Sequence, residues 1–285
     1  MHHRVRGIVH DALNTGSTVF IEPFDTVELC NAWRELVLEE EREVTRVLRD
    51  LSTLVGAVAD DIRLGNEVTG RLDFALARAR YSHRLHGAPA TTRPSLETED
   101  GMAAPDGAIV RLLKARHPML GRAAVPLTFG IGPGWTVLVI TGPNTGGKTV
   151  AMKTVGLLAL MHQSGIQIPA DEGSALPVFE GIYADIGDQQ SIADSVSTFG
   201  SHMANVIKIL KHATPRSLVL LDELGSSTDP EEGSALAKAI VGYLAERGVP
   251  TVVTTHHRTV AAFAEAVPNV TNASFQLDPE TLKPT

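Results

Sequence analysis

Along residues 26–84 the chain runs without a proline, and its apolar residues recur every three or four positions. Leu29, Trp33, Leu36, Val37, Val44, Val47, Leu48, Leu51, Leu54, Val55 and Val58 mark one stripe, while Glu39, Glu40, Glu41, Arg42 and Glu43 fall on a solvated face. The pattern predicts long scaffold helices. Gly65-Asn66 offers a break, Leu72, Leu76 and Ala79 resume the stripe, and an antiparallel helical pair is the expected outcome. Residues 5–21 predict a hairpin: Val5, Gly7 and Val9 alternate, Asn14-Thr15-Gly16 turns, residues 18–21 return, and Pro23 stops the strand.

After the helices the period changes. Residues 86–105, rich in Pro, Thr, Gly and Ala, read as a linker. Beyond them, residues 136–141, 218–221 and 251–255 are short apolar runs separated by helical patterns, which predicts an α/β fold with a mainly parallel sheet. One helix has well-marked ends. Asp229 can cap it, Pro230 suits its first turn, Glu231 and Glu232 favour its dipole, and Gly248 ends it. Its core-facing residues are expected to be Ala235, Leu236, Ala239, Ile240, Tyr243 and Leu244. The chain halts soon after one further strand-like run, so a fragment is expected.

The candidate chemistry lies at the ends of the apolar runs. Gly142-Pro143-Asn144-Thr145-Gly146-Gly147-Lys148-Thr149 satisfies G-x-x-x-x-G-K-[ST], with Val150 opening an apolar, helix-forming segment. A triphosphate needs inward-pointing N–H groups and a cation. The glycines let the backbone wrap closely, Lys148 reaches the β- and γ-phosphates, and the Thr149 hydroxyl is a Mg²⁺ ligand. The helix dipole adds to the attraction. These residues predict binding of ATP or a close relative. The run 217–221 ends in Asp222 and Glu223, and a buried strand should not end in paired acids unless a cation or a reaction uses them. Asp222 is expected to hold Mg²⁺ and Glu223 to orient and deprotonate the attacking water. His256 and His257 follow the third run, where an open parallel sheet faces its ligand crevice; His256 is the candidate for contact with the γ-phosphate or the water.

Composition narrows the setting. The 25 basic against 33 acidic residues give a formal −8, which argues against a broad nucleic-acid surface on this piece. Cys30, the single cysteine, cannot form an internal disulfide and fits a reducing cytoplasm. The basic start lacks a following apolar region of the signal-peptide kind, and no apolar run is long enough to span a bilayer.

Together the motifs resemble the MutS family of DNA-repair ATPases, of the ABC class, and most of all its second bacterial branch of Smr-bearing, recombination-suppressing members. The residues that carry the resemblance are 142–150 (GPNTGGKTV), 185–191 (DIGDQQS), 195–203 (SVSTFGSHM), 220–236 (LLDELGSSTDPEEGSAL) and 254–257 (TTHH). Arg116-His117-Pro118 resembles an element ahead of the phosphate loop, and residues 7–10 and 18–23 resemble the segment leading into lever helices. Thr145 and Thr149-Val150 favour the second branch. Gly225-Ser226-Ser227-Thr228-Asp229-Pro230 and Asp188-Gln189-Gln190-Ser191 depart from the family's usual wording, without touching the hydrolytic residues.

The resemblance implies a lever portion at residues 1–90 and an ABC-type ATPase domain at 91–285, lacking its C-terminal end. It implies a head-to-tail homodimer in which Ser197 and Thr198 face the phosphate loop of the opposing subunit, with Asp229 at the seam and Gln190 in the Q-loop. It also implies ATP-driven closure coupled to DNA through parts mostly outside this chain, in mismatch repair or recombination control, and no nuclease activity here. Two alternatives are a ribosome-binding role in the same branch and another ABC ATPase with a helical insertion. The latter would carry Leu-Ser-Gly-Gly where Ser197-Thr198-Phe199 stands.

Overall fold

The structure is a computed structural model that describes residues 6–12, 19–93, 109–121, 124–132, 134–142, 147–187, 198–226 and 228–275. The chain divides into two compact units, Met1–Asp73 and Phe74–Thr285.

The first unit opens with strands β1 (Gly7–Ala12) and β2 (Val19–Pro23), paired antiparallel with a bulge between Val9 and Asp11. The turn residues 14–16 lie outside the described residues. Pro23 closes β2 and is the N-cap of α1 (Phe24–Ala57), where its fixed φ suits the junction and its missing N–H is no loss. After Val58 the chain continues as α2 (Ala59–Arg84), whose last part belongs to the second unit. The expected antiparallel pair does not form. Val58 alone separates the helices, its N–H still bonds back to Val55, and no residue of α1 is buried. A reversal needs a short loop, and residues 57–59 hold no glycine or proline to make one. Gly65-Asn66 stays helical, because one glycine costs only about 1 kcal/mol in a helix.

In the second unit, five parallel strands lie in the order β11 (Asn269–Ser274), β6 (Trp135–Thr141), β10 (Thr251–Thr255), β9 (Ser217–Leu221), β8 (Gly181–Asp185). The central runs are apolar on both faces because both faces are covered. Leu138, Ile140, Leu218, Leu220 and Val252 pack against α3 (Lys148–Gln163) and a smaller sheet. Val137, Val139, Val219, Leu221 and Val253 point the other way, toward α4 (Thr198–His212), α5 (Pro230–Glu246) and α6 (Arg258–Ala266). The smaller sheet runs β3 (Thr91–Arg93), β7 (Ala175–Pro177), β4 (Val110–Ala115), β5 (Leu127–Ile131).

That sheet corrects the first part of the linker expectation. Thr91, Thr92 and Arg93 pair with Ala175, Leu176 and Pro177, and Ala88 bridges Ile168, so residues 88–93 are stitched to the domain by their backbone, and residues 94–105 lie outside the described residues. Helix α5 is capped as expected: the Asp229 carboxylate accepts from the N–H groups of Glu231 (2.9 Å) and Glu232 (3.4 Å). Its buried face is rotated from the expected one. Gly233, Ser234, Ala237, Ile240, Val241, Leu244 and Ala245 are buried, whereas Ala235, Ala239 and Tyr243 face outward. The small residues Gly233 and Ser234 allow the first turn to lie against the preceding loop, and that contact sets the rotation.

Candidate functional site

The site forms where β6, β10 and β9 end side by side. Strand β6 delivers Gly142, and Gly147 caps α3 with φ +82°, a left-handed conformation that disfavours any side chain. Lys148 opens the helix almost fully buried, with its Nζ donating to the Gly142 carbonyl. Burial pushes the Lys148 ammonium below its ordinary pKa, and the nearby Glu223 and Asp222 carboxylates pull the other way. A buried cation against two acids is poised for an anion that carries its own metal. Val150 faces outward, and Thr149 is half-buried and lines a cavity of about 280 Å³ together with Asp222 and Glu223. Pro143, Asn144, Thr145 and Gly146 lie outside the described residues.

One threonine organises the acids. The buried Thr254 hydroxyl, at the end of β10, donates to Asp222 Oδ1 and accepts the Glu223 N–H at 2.8 Å. Its carbonyl accepts the Leu224 N–H at 2.9 Å. Glu223 takes φ +48°, a conformation that costs a residue with a Cβ on the order of 1 kcal/mol and is held here by its neighbours. Behind it, Gly225 approaches Gly233 so closely that a Cβ on either would run into the other's carbonyl oxygen. Glycine at both positions lets the loop after the acids rest directly on the first turn of α5.

His256 is exposed just after β10, its ring tilted by 34° against that of His257 with the centroids 4.4 Å apart. Partial burial holds the His256 imidazole below its ordinary pKa, reinforced by His257 and Lys148 and opposed by Glu223. His256 therefore shares the electrostatic environment of both Lys148 and Glu223. His257 fastens the loop instead, with its ring Nε2 at 3.1 Å from the Gly225 carbonyl.

Of the other predicted residues, Asp229 is fixed by its capping role, and Thr198 begins α4. Ser197 and Gln190 lie outside the described residues. Thr254 stood in the 254–257 motif without a role, because a β-branched residue in a buried strand reads as packing; its signal was the place opposite the acids in the neighbouring strand. Asp185 likewise opened the 185–191 motif without a role; its carboxylate accepts from Asn205 Nδ2 at 2.8 Å and pairs with His202 Nδ1 at 3.0 Å.

A second cavity, of about 880 Å³, adjoins Gly147 and Val150 on another side of α3. Phe129, Trp135, Phe275 and His117 contribute rings to its walls. The donor set for a metal is thin: among the described residues, no three His, Cys, Asp or Glu groups converge. That fits Mg²⁺, which usually keeps waters and takes one or two protein ligands plus substrate phosphates. Thr149 and Asp222 in one cavity supply such a pair. No helix among the described residues is long and apolar enough to cross a membrane.

Residues 138–283 match the family described as MutS domain V. The chain is 49% identical over 285 residues to the endonuclease MutS2 of Thermomicrobium roseum, covering 99% of this chain and 36% of that protein. It is 49% identical over 281 residues to the endonuclease MutS2 of Caldanaerobacter subterraneus, covering 98% of this chain and 34% of the relative. Against the endonuclease MutS2 of Geobacillus thermodenitrificans the identity is 47% over 280 residues, with 98% and 34% covered. The chain thus spans about a third of the length of the relatives it matches.

Proposed function

Because the chain belongs to the MutS family and carries that family's domain V, an ABC-type ATPase domain, we propose that it binds ATP with Mg²⁺ and hydrolyses it at the ends of β6, β9 and β10. The observation that supports this reading most is the convergence of buried Lys148 with Asp222 and Glu223 from a separate strand. Gly142, Pro143, Asn144, Thr145, Gly146, Gly147 and Val150 form the loop around the phosphates, and the α3 N-terminus directs its dipole at them. Lys148 holds the β- and γ-phosphates. Thr149 and Asp222 hold the magnesium, which when bound offsets negative charge on the phosphate oxygens. Glu223 takes the proton of the attacking water, with Thr254 fixing its backbone and the Asp222 carboxylate. His256, neutral at physiological pH, contacts the γ-phosphate or the water without adding charge. The aromatic-walled cavity beside Gly147 and Val150 receives the adenine base, which stacks well on such rings.

In the same reading two chains pair head to tail. Ser197 and Thr198 of the partner subunit face the γ-phosphate, Asp229 lies at the seam, and Gln190 reports on the nucleotide. Residues 1–90 act as a lever that carries closure to DNA in repair or recombination control, in the cytoplasm. Nuclease activity belongs to parts of the relatives beyond this chain. Cosedimentation with branched DNA against ribosomes separates the DNA target from a ribosomal one. Calorimetric titration with ATP·Mg tests the core of the reading: Lys148→Ala should weaken binding by roughly 10²-fold or more, since a charge-assisted contact to phosphate is lost in a desolvated site. Unchanged affinity would contradict it.

A further inference from the structure

Asp185 ends β8 beside Leu221 of β9, one residue before the acid pair. Its backbone carbonyl accepts the Asp222 N–H at 2.8 Å. Its side chain, only 13% exposed, receives Asn205 Nδ2 on one oxygen and His202 Nδ1 on the other. His202 and Asn205 stand three apart on α4, on one face, and His202 is one turn beyond Thr198. A carboxylate this enclosed is costly unless both oxygens are satisfied. Helix α4 supplies both donors, so its first turns cannot shift without leaving a buried charge unpaired. Asp185 and His202 also line the same cavity as Thr149, Asp222 and Glu223.

We propose that Asp185, with His202 and Asn205, is a positioning latch that carries the state of the acid-and-metal site into helix α4. The latch rests on the ATPase reading. Ordering of Asp222 by magnesium and nucleotide fixes the β8 and β9 tips through the Asp222–Asp185 backbone bond. The paired side chains then fix α4, and with it Thr198 at its start. The structure holds the latched arrangement, and breaking the Asp185 pairs gives the unlatched one, the two states that transmission between sites requires. His202 acts through its Nδ1–H on Asp185, and the reacting atoms are left to Glu223.

Amide hydrogen exchange across α4, read in this chain with and without the non-hydrolysable analogue AMP-PNP plus Mg²⁺, tests the latch. In the unaltered protein the analogue should slow exchange in α4 by roughly 3- to 10-fold, since a local opening becomes coupled to the occupied site. His202→Ala should bind the analogue within about 3-fold of the unaltered affinity, because its ring is engaged by Asp185 and not by the phosphate loop, yet lose that slowing. His202→Asn, whose Nδ2 falls where the ring Nδ1 stood and can still donate to Asp185, should restore it. If His202→Ala fails to fold, His202→Phe, which keeps the ring but cannot donate, carries the same expectation. Full slowing in His202→Ala, no slowing in the unaltered protein despite binding, or no rescue by His202→Asn overturns the latch. Failure of the unaltered protein to bind the analogue at all overturns the ATPase reading, and the latch with it.

Discussion

Helices α1 and α5 carry the same kind of amphipathic sequence, and the fold treats them differently. Leu51 on the α1 stripe is 54% exposed, whereas Leu244 on α5 is fully buried against the parallel sheet. Periodicity states which side of a helix wants company; it does not state whether the chain provides it. In α1 the polar side carries exposed pairs such as Arg46 with Glu43 and Asp50, which add little because both partners remain in water. In the ATPase unit the polar groups that matter, Lys148 and Thr254, are buried and each has its partner.

The largest expected break in that comparison comes from equal truncations on the two helices. Leu244→Ala should cost about 2–5 kcal/mol in urea unfolding, the range for a buried leucine that leaves a cavity. Leu51→Ala should stay within about 0.5 kcal/mol. Equal losses would mean that α1 is covered in solution. A threonine pair sharpens the contrast. Thr254→Val removes the hydroxyl shared by Asp222 and Glu223 and should cost about 1–3 kcal/mol in stability while lowering ATP turnover by about tenfold or more. Thr53 also donates, to the exposed Arg49 carbonyl, and Thr53→Val should change neither measurably.

The smallest effect is on pH dependence. His117, His162 and His256, all in the ATPase unit, are held below their ordinary pKa of 6.5 chiefly by burial. Below that pH the unfolded chain takes protons that the folded chain refuses, so the stabilisation is present above 6.5 and is lost as the pH falls toward the folded values. Thermal melts should be flat above about pH 7 and decline on acidification, with a shallower decline in His256→Asn. A profile that steepens in that variant would reverse the assigned sign.

What was legible in the sequence follows the same division. Strands β6, β9 and β10 have buried cores, so β6 and β9 appear as apolar runs and β10 as a β-branched one, and the phosphate-loop, acid and histidine motifs stand at their ends. Asp229 and Gly248 could be read because helix ends use few residue types. The smaller sheet could not: β3 and β7 have three residues each, β4 is bulged between Leu112 and Ala115, and β3 lies inside a turn-rich stretch. The course of α1 and α2 turned on the lack of a loop-forming residue at 57–59, while the expected break at Gly65-Asn66 stays helical. Asp185 and His202 stood inside quoted motifs, but their pairing with each other and with Asn205 could not be read, since it arises only when β8 and α4 meet.

The central claim is that Glu223 performs the hydrolytic step at a site built by Lys148, Asp222 and Thr254. Glu223→Gln keeps the side chain's size and removes its basicity. Its ATP affinity by calorimetry and its single-turnover hydrolysis rate, measured on the same protein, test that claim most directly. The account predicts unchanged binding with hydrolysis slowed by roughly 10²–10⁴-fold, the weight of a general base. Hydrolysis at the unaltered rate, with ATP bound, would contradict it.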